Sequence, residues 1–388
     1  MRVLEGTRVL DLGTFITAPY AAMLLAELGA DVIKIERPGQ GDPFRLFTGG
    51  LYSPHFQAHN RHKRSITLDF TKPAGHTLLM ELVKSADVLM INCRPGVEKK
   101  LGIAPQRLQA LNPRLIYCAV TGFGADGPYS ARPAYDNVGQ ALSGLLSRFH
   151  AGTDPRIAGP AISDAVTGIF ACIGVLGALN ERARTGVGRK VEVNMIEATV
   201  ALAIEPLIYF LATGVEQPIF LRSALSQAYV LTCKDGRRIA LQMSSADKFW
   251  GGFVRALERP DILVRYPDRK ARVEGYDELS RELAEIFVTR TRDDWLERLG
   301  REDIPFVPER RINELQDDPQ IRHLGVFHEL QHAMMGAVKS VHRPIRYDGS
   351  NEMDYRASPT LGEHTGEVLA EVGVDAARLA VLKAEGIV

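Results

Sequence analysis

The sequence predicts an α/β protein whose larger domain holds a Rossmann-like parallel sheet. Short apolar runs alternate with helical patterns in the first third of the chain, an alternation typical of a parallel sheet covered by helices on both faces. Near residue 225 the pattern changes to a hairpin followed by helices. We therefore expect a large domain over residues 1–215, completed by 330–388, and a small α+β domain over 225–325.

Apolar runs and helix signals place the elements of the large domain in order. Strands are expected at residues 9–12, 31–36, 87–92, 115–120 and 190–193. The first helix is expected to use Thr17 as its N-cap, with Pro19 in the first turn and Gly29 as its end. Further helices are expected at 73–85, 105–111, 165–179 and 195–212.

The small domain is predicted from a turn dipeptide. Residues 228–233 and 238–243 are β-like and flank Asp235-Gly236, and Asp-Gly between two such runs is typical of a β-hairpin. Helical patterns follow at 246–257 and 276–299, and another covers 361–382 in the segment that completes the large domain.

Composition excludes several kinds of partner. The 47 basic and 47 acidic residues cancel, so no overall field attracts nucleic acid or an anionic membrane. The four cysteines lie far apart without a C-x-x-C pair, which argues against zinc, redox pairs and a secreted disulfide framework. The chain opens into a strand-like run rather than a cleavable leader, and the apolar run at 165–179 falls short of the ~20 residues of a membrane span. We expect a cytoplasmic protein that binds no metal, nucleic acid or membrane.

The first βαβ unit raises the possibility of a dinucleotide site. Glu36 ends the second strand, where an acidic residue can hold a ribose. The turn at residues 12–19 has one glycine, however, where the NAD fingerprint needs three. Arg37 suits a phosphorylated or stacked adenine better, because its planar guanidinium can do both. The missing glycines therefore argue against an NAD-binding module.

Basic residues recur at predicted loops that face the same strand ends. They are Arg61, Lys63, Arg64, Lys72, Lys99 and Lys100. A ligand with several separated phosphates, such as coenzyme A, would use scattered cations of this kind rather than one glycine-rich loop. Each cation taken alone is more typical of a surface charge.

Two aspartates are candidates for the site, and each has a structural alternative. Asp164 follows Gly159-Pro160 and precedes a long apolar run. It is either the N-cap of that helix or a carboxylate nucleophile. Asp136, next to the phenol of Tyr135, is either a site residue or the cap of the following helix.

Together the motifs resemble family III CoA-transferases, the group that includes formyl-CoA:oxalate and carnitine CoA-transferases and the α-methylacyl-CoA racemases. The motifs are Val9-Leu10-Asp11-Leu12, Leu28-Gly29-Ala30-Asp31-Val32-Ile33-Lys34-Ile35-Glu36-Arg37-Pro38, Lys63-Arg64-Ser65-Ile66, Asn92, Pro95-Gly96, Gly122-Phe123-Gly124, Tyr135-Asp136-Asn137-Val138, Asp164 with Thr167-Gly168, Val193-Asn194-Met195 and Leu361-Gly362-Glu363-His364-Thr365.

The resemblance implies that Asp164 is the nucleophile. Such enzymes move CoA between an acyl-CoA and a free carboxylic acid through a mixed anhydride and an aspartyl-CoA thioester, with CoA as substrate and no permanently bound cofactor. Position by position, the resemblance implies a CoA site of Phe15, Ile16, Arg37, Leu68, Lys72, Asn92, Cys93, Val97, Lys100, Tyr135 and Asp136. Phe15 and Ile16 would face the thioester and Arg37 the adenine. The resemblance also implies a homodimer in which each chain forms a ring threaded by the other.

Departures from the pattern narrow the expected reaction. Tyr135 stands where the racemase branch has a histidine, and a tyrosine is a poor base near neutral pH. Ile16 stands where the formyl-CoA branch has a glutamine, and no glycine run occurs over 213–250. We therefore expect transfer to a carboxylic acid other than oxalate, with 2-methylacyl-CoA racemisation as the second hypothesis.

Overall fold

A computed structural model describes residues 2–48, 50–149 and 155–388. The chain divides into two compact units. The larger unit contains Met1–Leu207 and Gly325–Val388, and the smaller contains Ile208–Leu324. The larger unit is thus built from two separate stretches of sequence, whereas the smaller one is continuous.

Parallel strands form the centre of the larger unit. They are β1 (Arg8–Asp11), β2 (Asp31–Glu36), β3 (Arg64–Thr67), β4 (Val88–Ile91), β5 (Ile116–Thr121) and β6 (Lys190–Asn194). Over the described residues they make one six-stranded sheet in the order β3-β2-β1-β4-β5-β6. The predicted α/β fold with a parallel sheet is confirmed. The strand order reverses between β1 and β4, because β2 and β3 lie on one side of β1 whereas β4, β5 and β6 lie on the other. Ligands of such sheets bind at this switch point.

Helices separate these strands along the chain. They are α1 (Thr17–Glu27), α2 (Pro54–Asn60), α3 (Pro73–Lys84), α4 (Val97–Lys100), α5 (Pro105–Leu111), α6 (Asp136–Leu142), α7 (Leu146–Phe149), α8 (Ile162–Thr185), α9 (Met195–Leu202) and α10 (Ile204–Thr213). The helix expected over 195–212 is two helices, bent by 75° at their junction. Pro206 lacks the N–H that would continue the first helix, which accounts for the break.

The prediction for the first helix was correct about its end and wrong about its cap. Ile16, not Thr17, is the N-cap of α1, and no side chain caps this end of the helix. The Thr17 hydroxyl instead accepts a bond from Asn92 Nδ2 at 3.0 Å. Gly29 follows the last turn with φ +103°, a left-handed conformation that glycine adopts without steric cost.

The smaller unit has its own hydrophobic core, in which aliphatic side chains pack with Trp250, Phe287 and Trp295. Its elements are α11 (Leu221–Ser226), β7 (Ala228–Thr232), β8 (Arg238–Gln242), α12 (Ala246–Leu257), α13 (Pro260–Arg265), α14 (Arg269–Glu274), α15 (Tyr276–Phe287), α16 (Arg292–Gly300), β9 (Phe306–Pro308) and α17 (Pro319–His323). The predicted hairpin is the antiparallel pair β7–β8. The helix expected over 276–299 is divided, because Thr291 and Asp294 form a capping box that starts α16.

The C-terminal stretch completes the large sheet's core. It contains β10 (Phe327–His332), β11 (Gly336–Val341), α18 (Thr365–Ala370) and α19 (Ala376–Ala384). Val368, Leu369 and Leu382 are buried in the same cluster as Leu10 and Ile33 of the sheet. On the other face, α1 and α8 pack on the strands. The sheet is therefore covered on both faces, as a parallel sheet requires.

Helix α8 is longer than the sequence suggested. It has 24 residues, and among the described residues it is the single helix long and apolar enough to span a membrane, with the bent pair α9 and α10 as a second possibility if counted as one span. The apolar run at 165–179 was expected to be too short to span a membrane. By length and composition, that expectation is wrong for the helix that contains the run. Ala171, Val175 and Ala178 bury one face of α8 in the sheet's core, as expected of a core helix.

Candidate active site

A cavity of about 620 Å³ opens at the carboxyl ends of the large sheet's strands. Loops after β1, β2, β4 and β5 and the start of α9 after β6 contribute to its wall. Of the residues singled out from the sequence, the cavity is lined by Phe15, Ile16, Arg37, Asn92, Cys93, Val97, Tyr135 and Asp164. The fold therefore gathers eight candidates from six separate segments around one crevice at the sheet's switch point.

The loop between β1 and α1, residues 12–16, forms the floor of the cavity beside β4. Asn92, directly after β4, accepts from Thr14 N at 2.9 Å and donates to Thr14 O at 2.7 Å. Its side chain is thus occupied in holding this loop. Phe15 adopts φ +61°, the left-handed region that bulky residues rarely occupy. Its ring meets those of Phe44 and Tyr135 edge-on, at centroid distances of 5.6 and 5.8 Å.

Four charged residues lie beneath this loop, and we call Asp11, Lys34, Asp42 and Lys63 the buried charge cluster. Each is at most 2% exposed. Lys34 Nζ lies 2.8 Å from Asp42 Oδ2, and Lys63 Nζ lies 2.8 Å from Asp11 Oδ2. Burial acts to raise the pKa of Asp11, but Lys34 and Lys63 outweigh it and hold that pKa below its ordinary value. Burial lowers the pKa of Lys63 to about 8.

Three of the basic residues that the sequence placed at ligand-facing loops have other partners, which corrects that prediction. Lys63 belongs to the buried charge cluster. Arg64 lies on β3 and pairs with Asp31 at 2.6 Å and with Glu371 at 2.6 Å, while Arg61 pairs with Glu27. The sequence analysis missed β3 altogether, because its polar side chains are buried through such pairing and give no apolar run.

Glu36 is also unavailable to a ligand. Arg45 contacts both of its carboxylate oxygens, at 2.7 and 2.8 Å, and Ser65 Oγ donates to it at 2.7 Å. The residue that a dinucleotide ribose would need is therefore buried in an ion pair. Together with the missing glycines, this removes the remaining support for an NAD site.

Asp164 lies in the first turn of α8 and faces the cavity. The N-cap of this helix is Ala161, with no side-chain cap, so the N-cap interpretation of Asp164 is wrong. Its backbone N–H donates to Asp136 Oδ1 at 3.1 Å. Burial and, after it, the neighbouring Asp136 carboxylate raise the pKa of Asp164 to about 7. The start of the helix therefore does not keep this carboxylate strongly ionised.

Asp136 caps a helix, but not its own. It is the first residue of α6, whose N-cap is Tyr135, and its Oδ1 satisfies an amide in the first turn of α8. Gln140 Nε2 donates to the other oxygen at 2.6 Å. The expectation that Asp136 caps the following helix is therefore wrong. Its carboxylate instead joins α6 to Asp164 of α8, which lies 28 residues further along the chain.

Two glycines allow the helices around Asp164 to approach closely. A Cβ on Gly168 of α8 would lie 2.9 Å from Thr17 O of α1. A Cβ on Gly139 of α6 would overlap Ser163 of α8 and Met195 of α9. Any side chain at these positions would force the helices apart. The glycines therefore fix Asp164 at the meeting point of α1, α6 and α9.

Three predicted contacts lie away from the cavity. Leu68 is fully buried in the core, so its side chain has no surface to offer a ligand. Lys72 Nζ donates to Glu385 O and Gly386 O at 2.9 and 3.1 Å. Lys100 is exposed on α4 and is not part of the cavity wall. Asp136 likewise acts from behind Asp164 rather than from the wall.

The sequence analysis missed two cations that do line the cavity. Arg94 follows β4 and Arg132 precedes Tyr135, and both are exposed in the wall together with Arg37. The signal for Arg94 was its position at the carboxyl end of a strand, next to Asn92. Arg132 has no comparable signal, because the fold alone brings residues 130–135 to the crevice.

Among the described residues of the cavity wall, the Cys93 thiol is a second candidate nucleophile beside Asp164. Burial raises the pKa of the Cys93 thiol to about 11, so the thiol is neutral near pH 7 and lines the crevice as a weakly polar group. Within residues 2–48, 50–149 and 155–388, no group of three or more His, Cys, Asp or Glu side chains could hold a metal ion. The chemistry available here is that of a partly buried carboxylate beside separated guanidinium groups.

Comparison with known proteins agrees with this chemistry. The human succinyl-CoA:glutarate CoA-transferase is 30% identical over 96% of this chain and 86% of its own length. The formyl-CoA:oxalate CoA-transferase of Rhodopseudomonas palustris is 33% identical over 96% and 93%. A crystal structure of a CaiB/BaiF family protein from Brucella suis superposes with a TM-score of 0.83 and 30% identity, over 95% of this chain and 99% of that one. The sequence model of CoA-transferase family III matches residues 4–365, and the chain belongs to that family.

Proposed function

We propose that the protein transfers coenzyme A from an acyl-CoA to a free carboxylic acid, with Asp164 as the nucleophile. The observation that carries the proposal is the position of Asp164, partly buried in the wall of a cavity whose other walls hold exposed arginines. Family membership supports the reaction class. NAD binding is not supported, because Glu36 is held in an ion pair with Arg45. Racemisation is not supported, because Tyr135 stands where a base is needed.

The reaction balances without an added cofactor. One Asp164 oxygen attacks the thioester carbonyl, the carbon–sulfur bond breaks, and CoA leaves as a thiolate, so the acyl group is held as a mixed anhydride. The thiolate then attacks the Asp164 carbonyl carbon, and the donor acid leaves as a carboxylate. CoA remains as an aspartyl thioester. An acceptor carboxylate repeats these steps in reverse, and every intermediate keeps one activated acyl bond, either an anhydride or a thioester.

The pKa of Asp164 suits this role. A carboxylate with a pKa of about 7 is more basic than an ordinary one and hence more nucleophilic, yet a large fraction is ionised at neutral pH. The surrounding burial also limits water, which would hydrolyse the anhydride. Activity should therefore rise as the pH increases through about 7.

The cavity wall suggests how CoA lies. We assign the adenine to Arg37 and the phosphates to Arg94 and Arg132, because a guanidinium group can stack on a ring or bind a phosphate through two hydrogen bonds. Cys93 and Val97 would line the pantetheine channel. Of the residues inferred from resemblance, we retain Phe15 and Ile16 near the thioester and omit the side chains of Leu68, Lys72 and Lys100.

The acceptor acid is expected to be less polar than oxalate. Ile16, Tyr135 and Met195 share the cavity wall with Asp164, and Tyr135 is 61% exposed, which leaves its ring free to contact a substrate. An apolar wall of this kind favours an acid with a hydrocarbon chain through the hydrophobic effect.

We also infer a homodimer, each chain forming a ring threaded by the other. Ile169, Phe170 and Ile173 on the outer side of α8 are 42, 37 and 55% exposed, and such a stripe favours burial against a second protein surface. Equilibrium sedimentation is expected to give twice the chain mass of 42.8 kDa. A monomer at micromolar concentration would contradict the inference.

The four free cysteines support the cytoplasmic location we propose.

Trapping the aspartyl thioester tests the proposed function. The protein is incubated with a panel of acyl-CoA donors and then with hydroxylamine, and a hydroxamate is expected on the Asp164 peptide by mass spectrometry. Asp164→Ala is expected to lower transfer by at least about 10³-fold, as for other covalent nucleophiles. The matched control is Asp126→Ala, an exposed aspartate outside the cavity wall, which should keep wild-type turnover.

Two outcomes would contradict the proposal. Full turnover by Asp164→Ala would show that another group carries the reaction. Deuterium uptake from solvent at the α-carbon of a 2-methylacyl-CoA, without dependence on a free acid, would favour the racemase instead.

A further inference from the structure

We propose that the buried charge cluster is a positioning device that holds the loop at residues 12–16 in the conformation needed to face the acyl group. The effect on catalysis rests on the proposed function. The effect on loop conformation does not, and can be measured without any substrate.

Each charge in the cluster bonds the backbone of this loop or of the turn that follows it. Asp11 Oδ1 accepts from Gly13 N at 2.9 Å, and Lys34 Nζ donates to Gly13 O. Asp42 Oδ1 accepts from Phe15 N at 3.2 Å. Lys63 Nζ donates to Pro19 O at 2.8 Å. The backbone groups of Gly13 and the N–H of Phe15 are therefore satisfied by fixed charges, and the side chains of Phe15 and Ile16 line the cavity.

The cost of such a cluster argues for a role beyond stability. Moving two carboxylates and two ammonium groups out of water is unfavourable, and apolar residues of similar volume often stabilise a core as well or better. Here all four groups are almost completely buried. What apolar side chains cannot do is accept an amide proton or donate to a carbonyl at a set position. The hydrogen bonds to Gly13 and Phe15 are therefore the property that the charges supply.

The conformation of Phe15 shows why the loop needs such support. A left-handed φ of +61° is strained for a bulky side chain, and strained residues persist only where their surroundings determine them. Asp42 Oδ1 binds Phe15 N and, at 2.9 Å, Phe44 N. The two aromatic rings, 5.6 Å apart, are thus set by one carboxylate oxygen. Without it, Phe15 would relax to a negative φ and turn its ring from the cavity.

Hydrogen exchange of the substrate-free protein measures the loop directly. In Asp42→Ala, amides of the peptide covering residues 12–18 are expected to exchange about tenfold faster or more, as follows from loss of a hydrogen bond to a charged group. Asp42→Asn, which keeps the acceptor oxygen, is expected to show a smaller change. A charge-balanced variant, Lys34→Met with Asp42→Asn, guards against a fold lost through an unpaired buried charge, and it should still speed exchange at the loop.

Arg182→Met is the matched control. Arg182 is also buried and forms an ion pair, with Asp87 at 2.8 Å, but it lies at the amino ends of the strands. Its loss should lower thermal stability and leave exchange at residues 12–18 and turnover unchanged.

Kinetics with an accepted acyl-CoA give the second measurement. Misplacement of a reacting group by about 1 Å can cost about 10²-fold, so Asp42→Ala is expected to lower kcat by up to about that factor while KM for the acyl-CoA stays within about threefold. If all cluster variants behave like Arg182→Met, with lower stability alone, the proposal is overturned. If loop exchange accelerates but the wild type transfers no CoA, the positioning role stands and the proposed function fails.

Discussion

Two aspartates of the same cavity region are treated in opposite ways by the fold. Asp11, beneath the loop at residues 12–16, is fully buried and faces Lys34 and Lys63, which hold its pKa below the ordinary value. Asp164 in the cavity wall is partly buried and lies near the Asp136 carboxylate, and these two causes, burial first, raise its pKa to about 7. Lysines thus neutralise the carboxylate that holds the backbone, whereas the carboxylate proposed as the nucleophile keeps a raised pKa.

Removing a cation from Asp11 gives the largest expected effect. Lys63→Met leaves a buried carboxylate with Lys34 at 3.8 Å as its remaining cation in the cluster, so unfolding in urea is expected at about 3–5 kcal/mol lower stability. Lys63→Met combined with Asp11→Asn removes both charges and should recover part of the loss. A loss below about 1 kcal/mol would show that Asp11 does not depend on its partner.

Removing the charge of Asp164 is expected to raise the stability of the fold rather than lower it. Its folded pKa of about 7 lies above the ordinary 3.8, so the protonated form suits the folded state and stability falls as pH rises between these values. Asp164→Asn, always neutral, is expected to be more stable than wild type by roughly 1–3 kcal/mol at pH 8. At pH 4 the two should agree.

The contrast is measured by urea unfolding at both pH values. Asp126→Asn, an exposed aspartate, serves as the control and should leave stability unchanged at each. A destabilised Asp164→Asn at pH 8 would contradict the idea that this carboxylate is held in an unfavourable environment.

Two cations differ in the same way, because Lys63 is buried in the charge cluster whereas Arg94 is exposed in the cavity wall. Arg94→Ala is expected to weaken CoA binding by about fivefold, as for one partly exposed contact to a phosphate, with a smaller effect in high salt. Lys100→Ala, the neighbouring cation outside the cavity wall, should change affinity by less than about twofold. Calorimetric titration with CoA measures both, and equal losses would return Lys100 to the site.

The smallest effect is expected from the neighbour of Asp164. Asp136→Asn keeps the oxygen that accepts from Asp164 N and loses the charge that contributes, after burial, to the raised pKa. The pH at which kcat/KM reaches half its maximum should therefore move below the wild-type value near 7. An unchanged profile would show that burial alone sets the pKa.

The sequence predicted the sheet better than the polar contacts behind it. Apolar runs located five of the sheet's strands, and four of these, β1, β2, β4 and β5, bury side chains on both faces. Arg64–Thr67 could not be found in this way, since Arg64 is buried only through carboxylates distant in sequence. The pairing of Asp136 with Asp164 joins two helices and has no local signal. Asp164 itself was identified by resemblance, since its local pattern favoured a helix cap.

The division of the larger unit has a consequence for synthesis on the ribosome. One face of its sheet is closed by Val368, Leu369 and Leu382, which are translated after the whole of Ile208–Leu324. The smaller unit is continuous and can complete its core first, although it comes second in the chain. The nascent sheet meanwhile exposes an apolar face, a situation that favours aggregation. Chaperone capture of the unfinished chain is expected to depend on that face and to end when α18 and α19 emerge.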